Sequence, residues 1–144
     1  MKQLVLSIFS ILIIMMSSCA MPKKAATTPD GGNPLTFSCK GSTVTAVLEG
    51  NATTGCTWNY KIKDTKTVKY VSDEYVSNQA EQGMVGVGGK HTFVFEGIKQ
   101  GTTYVIFNYG QHWKKGQDFG SRIMMIMVDA ELQVTAAEVK INEK

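Results

Sequence analysis

The chain has 144 residues, with 15 Lys and Arg against 12 Asp and Glu and a formal net charge of +3. That length suits one domain rather than two. The weak charge, with no dense cluster of Lys and Arg, argues against a nucleic-acid-binding surface.

From the N-terminus, Lys2 precedes an apolar run over residues 4–16, interrupted only by Ser7 and Ser10 and followed by Ser17, Ser18, Cys19 and Ala20. A basic tip, a short apolar stretch and small residues form an export signal over 1–19. The run is too short to span a membrane comfortably. Two readings of Cys19 stay open. Met16-Ser17-Ser18-Cys19 resembles a bacterial lipoprotein processing site, which would make Cys19 the lipidated first residue of the mature chain. Alternatively, ordinary cleavage near Cys19 or Ala20 removes the cysteine or leaves it close to the new end. In a bacterium the product is expected in the periplasm or on the cell surface as a lipoprotein, and otherwise secreted or in lysosomes or vesicles. Residues 20–34 hold Pro22, Pro29, Pro34, Gly31 and Gly32 without periodicity and read as a flexible linker. Residues 35–144 are then the folded domain.

Within it, residues 43–49 alternate and are rich in β-formers between Gly41-Ser42 and Gly50-Asn51. Further strands are expected over 56–62, 68–71, 91–95, 102–109 and 122–128. In the strand over 102–109, Thr103, Val105, Phe107 and Tyr109 share one side. Residues 132–141 suit a strand or a short helix, and 73–82 suits a helical turn. Many short strands with recurring turn residues point to an all-β sandwich or barrel, with Trp58, Phe93, Phe95 and Phe107 hidden between the sheets. Cys39 and Cys56 are an even pair in an exported domain. They are either bonded, contributing about 3 kcal/mol in the chain-entropy model, or two separate buried thiols.

No catalytic constellation stands out. The two histidines, His91 and His112, lack metal-ligand spacing, and no nucleophile elbow surrounds any serine. Gly86-Val87-Gly88-Gly89 lacks the strand–helix context of a dinucleotide site. Neither an enzyme, nor a metal, nor a cofactor is expected.

The unusual residues lie in three connections. Gly50-Asn51-Ala52-Thr53-Thr54-Gly55 is a narrow tip of small polar residues leading into Cys56-Thr57-Trp58. Residues 83–89 set Met84, Val85 and Val87 among glycines, which permit close backbone approach to a partner. Trp113, in Gln111-His112-Trp113-Lys114-Lys115-Gly116, is an exposed aromatic anchor or, alternatively, a ring folded over the sandwich edge.

In this order the connections resemble the chagasin-like family of cysteine-protease inhibitors, over residues 35 to about 128. Asn51-Ala52-Thr53-Thr54-Gly55 with the later Trp58 is similar to the family's Asn-Pro-Thr-Thr-Gly signature and its following Trp. Gly86-Val87-Gly88-Gly89 before Phe93 resembles its glycine-rich loop. Gln111-His112-Trp113 stands where Arg-Pro-Trp is usual. The resemblance implies an immunoglobulin-like sandwich of seven or eight strands, acting as a monomer that binds one papain-like protease tightly and reversibly. Thr53 and Thr54 would approach the enzyme's catalytic cysteine, the glycine loop would follow the non-primed side, and Trp113 would pack on the primed side. A runner-up is an immunoglobulin-like binding module without inhibitory activity. Ala52 in place of proline, and Gln111-His112 in place of Arg-Pro, imply weaker or more selective inhibition. A Cys39–Cys56 bond would offset Ala52 by bracing the first loop. Asn51-Ala52-Thr53 is also a formal glycosylation sequon, and a glycan there would block docking.

Overall fold

A computed structural model describes residues 34–78 and 85–140. The export signal with Cys19, the linker up to residue 33, and Gly83 and Met84 of the glycine-rich connection lie outside the described residues.

Eight strands follow in order: β1 (Leu35–Lys40), β2 (Thr43–Gly50), β3 (Thr57–Ile62), β4 (Val68–Ser77), β5 (Gly89–Gly97), β6 (Gly101–Gly110), β7 (Asp118–Val128) and β8 (Val134–Val139). They form two four-stranded sheets of order β1-β2-β5-β4 and β3-β6-β7-β8, with every pairing antiparallel. The architecture is the all-β sandwich expected from the sequence.

Period-2 alternation fills the space between the sheets. Val44, Ala46 and Leu48 face inward from β2, Phe93 and Phe95 from β5, Val105 and Phe107 from β6, and Met124, Ile126 and Val128 from β7. Phe93 and Phe107 lie 5.3 Å apart between ring centroids, and Phe95 and Phe107 6.0 Å apart. Each such side chain contributes roughly 1.5–3 kcal/mol by leaving water. Trp58 is buried as well, and its indole N–H donates to the Glu49 carbonyl at 2.8 Å.

The structure corrects two expectations, decides one open choice and adds one strand. Residues 73–77 are not helical but continue β4 as an edge strand. Tyr70 pairs with Phe95 and Ser72 with Val94, so Val71 is an extra residue that interrupts the alternation and hides the strand from a periodicity reading. Residues 134–139 resolve the choice between strand and helix in favour of a strand, paired along β7. The strand β1 was not anticipated. It is half exposed along an outer edge, although its LTFSCK sequence alternates apolar and polar residues directly after the linker.

The second correction concerns Cys39 and Cys56, which are free thiols. Cys39 pairs with Val44 at one end of β2, whereas Cys56 follows the tip beyond Gly50 at the other. Six residues of strand separate those ends, about 20 Å. A disulfide needs Cα atoms within about 7 Å.

Candidate functional site: three connections at one end of the sandwich

Strand register brings the three unusual connections together. Gly50 at the end of β2 pairs with Gly89 at the start of β5, and Gly89 in turn with Ser77 at the end of β4. On the other sheet, Gly110 at the end of β6 pairs with Thr57 and with Asp118. The β2–β3, β4–β5 and β6–β7 connections therefore leave the sandwich at the same end.

The first connection is a turn of 3-10 helix, Ala52–Thr54, capped by Asn51 and closed by Gly55 at φ 76° and ψ 5°. Only glycine enters this left-handed region without penalty. Asn51 is the hub. Its Oδ1 accepts from the Thr53 amide at 3.1 Å and the Thr53 hydroxyl at 2.5 Å. Its carbonyl accepts from the Thr54 hydroxyl at 2.6 Å and the Thr54 amide at 3.2 Å. The exposed threonines are thus fixed by local bonds rather than left to rotate. From below, the Tyr109 hydroxyl accepts from the Asn51 amide at 2.9 Å, and the Tyr75 hydroxyl accepts from the Ala52 amide at 3.4 Å.

The Asn51 side chain also ties the first connection to the second. Its Nδ2 donates to the Gly86 carbonyl at 2.8 Å. Gly86 has φ 80°, and a Cβ there would lie 3.8 Å from Thr53 Oγ1. A Cβ on Gly88 would come 3.1 Å from the Gly50 carbonyl oxygen, and one on Gly89 would come 2.4 Å from that of Val76. These two glycines let the strands close at the tip. Val87 and Gly88 are half-buried, while Val85 is almost fully exposed.

The third connection is closed at its base by the Gln111 amide donating to the Gln117 carbonyl at 3.1 Å. It reaches the first connection at two points. Gln111 Nε2 donates to the Thr54 carbonyl at 3.1 Å, and a His112 ring nitrogen lies 2.9 Å from the Thr57 carbonyl, to which its N–H donates. Trp113 remains 67% exposed. One edge of its ring covers Gly55, where a Cβ would stand 2.5 Å from Cη2.

Asn51, Ala52, Thr53, Thr54, Gly55, Gly86, Val87, Gly88, Gly89, Gln111, His112 and Trp113 therefore share one end. Cys56 is buried at its base, with Sγ 4.0 Å from the Thr54 carbonyl, and Cys39 is remote. Sequence reasoning missed the braces Tyr75 and Tyr109. The sequence puts Tyr109 on the same side of its strand as Phe107, but its hydrogen bond to the tip depends on the sheet pairing.

One ionisable cluster lies nearby, on β4 and β5. The Asp73 carboxylate accepts from the Tyr70 hydroxyl and contacts His91 Nε2 at 2.8 Å. The Tyr70 bond, then the His91 bond, holds Asp73 below the usual carboxylate range, and the same Asp73 bond pushes the Tyr70 phenol up. His91 stacks on Phe93 at 4.2 Å. Among the described residues, no group of three or more His, Cys, Asp or Glu could hold a metal ion.

Fold and site together define an antiparallel sandwich that holds three hydrogen-bonded connections at one end. Residues 39–123, more than half of the chain, match the family described as Chagasin family peptidase inhibitor I42. Amoebiasin-1 of Entamoeba histolytica is 30% identical over 86 residues, which cover 60% of this chain and 81% of the relative. A crystal structure of the cysteine protease inhibitor EhICP2 from Entamoeba histolytica is similar with a TM-score of 0.49 and 22% identity, covering 68% of this chain and 78% of that one. The chain belongs to the chagasin family, whose members are peptidase inhibitors and not enzymes.

Proposed function

We propose that the protein is a reversible, tight-binding inhibitor of papain-like cysteine proteases, acting one-to-one as a monomer and occluding the active-site cleft with its three connections. The observation that carries this reading is the bonding among the connections. Asn51 reaches Gly86, Gln111 reaches Thr54, and the exposed Trp113 ring rests on Gly55. A surface already held in its binding shape loses little entropy on docking. In this reading Thr53 and Thr54 enter the cleft toward the catalytic cysteine. Their hydroxyls are engaged internally, so the tip presents a closed turn rather than an extended strand for cleavage. The glycine connection lies along the non-primed side and Trp113 on the primed side. Export of the chain, with either lipidation of Cys19 or loss of the signal by ordinary cleavage, belongs to the same proposal. The mass of the mature N-terminal peptide distinguishes the two.

The test is a titration of the protein against active-site-titrated papain and a cathepsin-L-like enzyme, with trypsin as control. Saturable, reversible loss of papain-like activity at nanomolar protein is expected, with trypsin untouched. Trp113→Ala is expected to weaken inhibition at least thirtyfold, the scale of an interface hot spot. No inhibition of either enzyme at micromolar folded protein would leave the non-inhibitory binding module as the better reading.

A further inference from the structure

Large apolar side chains exposed singly over a surface carry no meaning. Here they are not evenly spread. Among the described residues the four most exposed are Val85 at 97%, Trp113 at 67%, Phe119 at 62% and Val76 at 56%. All four lie at the end that carries the three connections. Val85 is in the glycine-rich connection, and Val76 is next to Ser77, which pairs with Gly89. Trp113 and Phe119 lie within and just beyond the β6–β7 connection.

Phe119 belongs to none of the three connections and to none of the motifs read from the sequence. Its backbone position is set by an irregularity in the ladder. Tyr109 pairs with Gly120 and Gly110 with Asp118, so Phe119 is left without a partner on β6. An extra residue of this kind redirects a side chain away from the regular pleat. It lies two positions past Gln117, whose carbonyl closes the third connection, and on the strand opposite Tyr109, whose hydroxyl braces Asn51. The backbone of Phe119 is therefore placed by the same frame that carries Trp113, and an exposed aromatic ring at such a place is well suited to an interface.

We propose that Phe119 is a further protease-contacting residue, a second aromatic anchor that packs on an apolar patch at the rim of the cleft beside Trp113. The proposal rests on the inhibitory reading above. The Phe119 ring lies outside the narrow tip, so it meets the enzyme's rim and not its catalytic centre, and its contribution will differ from one protease to another.

The experiment measures inhibition constants of the wild-type protein and of Phe119→Ala, Phe119→Tyr, Trp113→Ala and Met127→Ala against several papain-like proteases. Met127 is the control, an exposed apolar residue on the same strand at the opposite end, where it pairs with Thr102. Circular dichroism and thermal melts establish that each variant is folded. The expected result is at least a tenfold loss with Phe119→Ala on one or more enzymes, recovery with Phe119→Tyr, and no change with Met127→Ala. Phe119→Ala within twofold of wild type on every enzyme, while Trp113→Ala loses tenfold or more, would overturn the Phe119 proposal alone. A wild-type protein that inhibits no enzyme in the panel would overturn the inhibitory reading and this proposal with it.

Discussion

Gly55 and Ala52 sit three residues apart in one turn and answer opposite substitutions. Gly55 holds φ 76° beneath the Trp113 ring. An alanine there meets a left-handed backbone penalty of about 1–2 kcal/mol, and its methyl also displaces the indole. Gly55→Ala is therefore expected to lower the melting temperature and, through Trp113, to weaken protease inhibition; an unchanged inhibition constant would show that the position of Trp113 does not matter. Ala52 opens the turn, a position that suits proline because its amide lies outside the helical bonding. The preceding Asn51 has φ −131° and ψ 95°, compatible with a following proline. The Ala52 amide gives up only a long 3.4 Å bond to Tyr75. Ala52→Pro is expected to add about 0.4–1 kcal/mol of stability in denaturant titration and to tighten inhibition. An equally tight proline variant would mean that the Asn51 bonds already supply the rigidity.

At the scale of the element, β4 is an edge strand that carries Tyr70 and Asp73 of the charged cluster near the tip. Asp73 is held below its ordinary range by the Tyr70 and His91 bonds. A carboxylate with a depressed folded-state pKa contributes stability that is complete above its unfolded value, about 3.9, and is lost as pH falls through the lowered folded value. The stability difference between wild type and Asp73→Asn is accordingly expected to shrink as pH falls below about pH 4. Chemical denaturation across that range measures it, and a difference that persists to pH 2 would contradict the assignment. The same strand marks the limit of what the sequence makes legible. The strands β2, β5 and β6 alternate cleanly because each has one face in the core, so their inward residues could be read in advance. In β4 the extra Val71 shifts the phase, and nothing in a one-dimensional pattern marks a bulge. Phe119 escaped for the same reason. The tip residues were visible because their motif is local, whereas their braces Tyr75 and Tyr109 come from strands 23 and 58 residues away.

For the whole molecule, the question is what closes the sandwich without a covalent staple. Packing does: the inward faces of β2, β5, β6 and β7 meet in one continuous cluster that includes Leu48, Phe93, Phe95 and Phe107. A domain of this size holds a sufficient core of its own, unlike scaffolds below about 70–80 residues. Cys39 and Cys56 sit at opposite ends of that core, in positions that set up distinct reactivities. Cys39 is exposed at the edge, and partial desolvation of its thiol pushes its pKa up. Cys56 is buried beneath the tip. Alkylation followed by peptide mass mapping is expected to modify Cys39 slowly in the native protein, faster as pH rises because the thiolate is the reactive form. Cys56 should stay protected until the domain is unfolded. The melting temperature should be the same with and without reductant. A lower melting temperature in reductant, or a mass-mapped Cys39–Cys56 peptide from the native protein, would require the two ends of β2 to come together, which the register of the β1–β2 pair forbids.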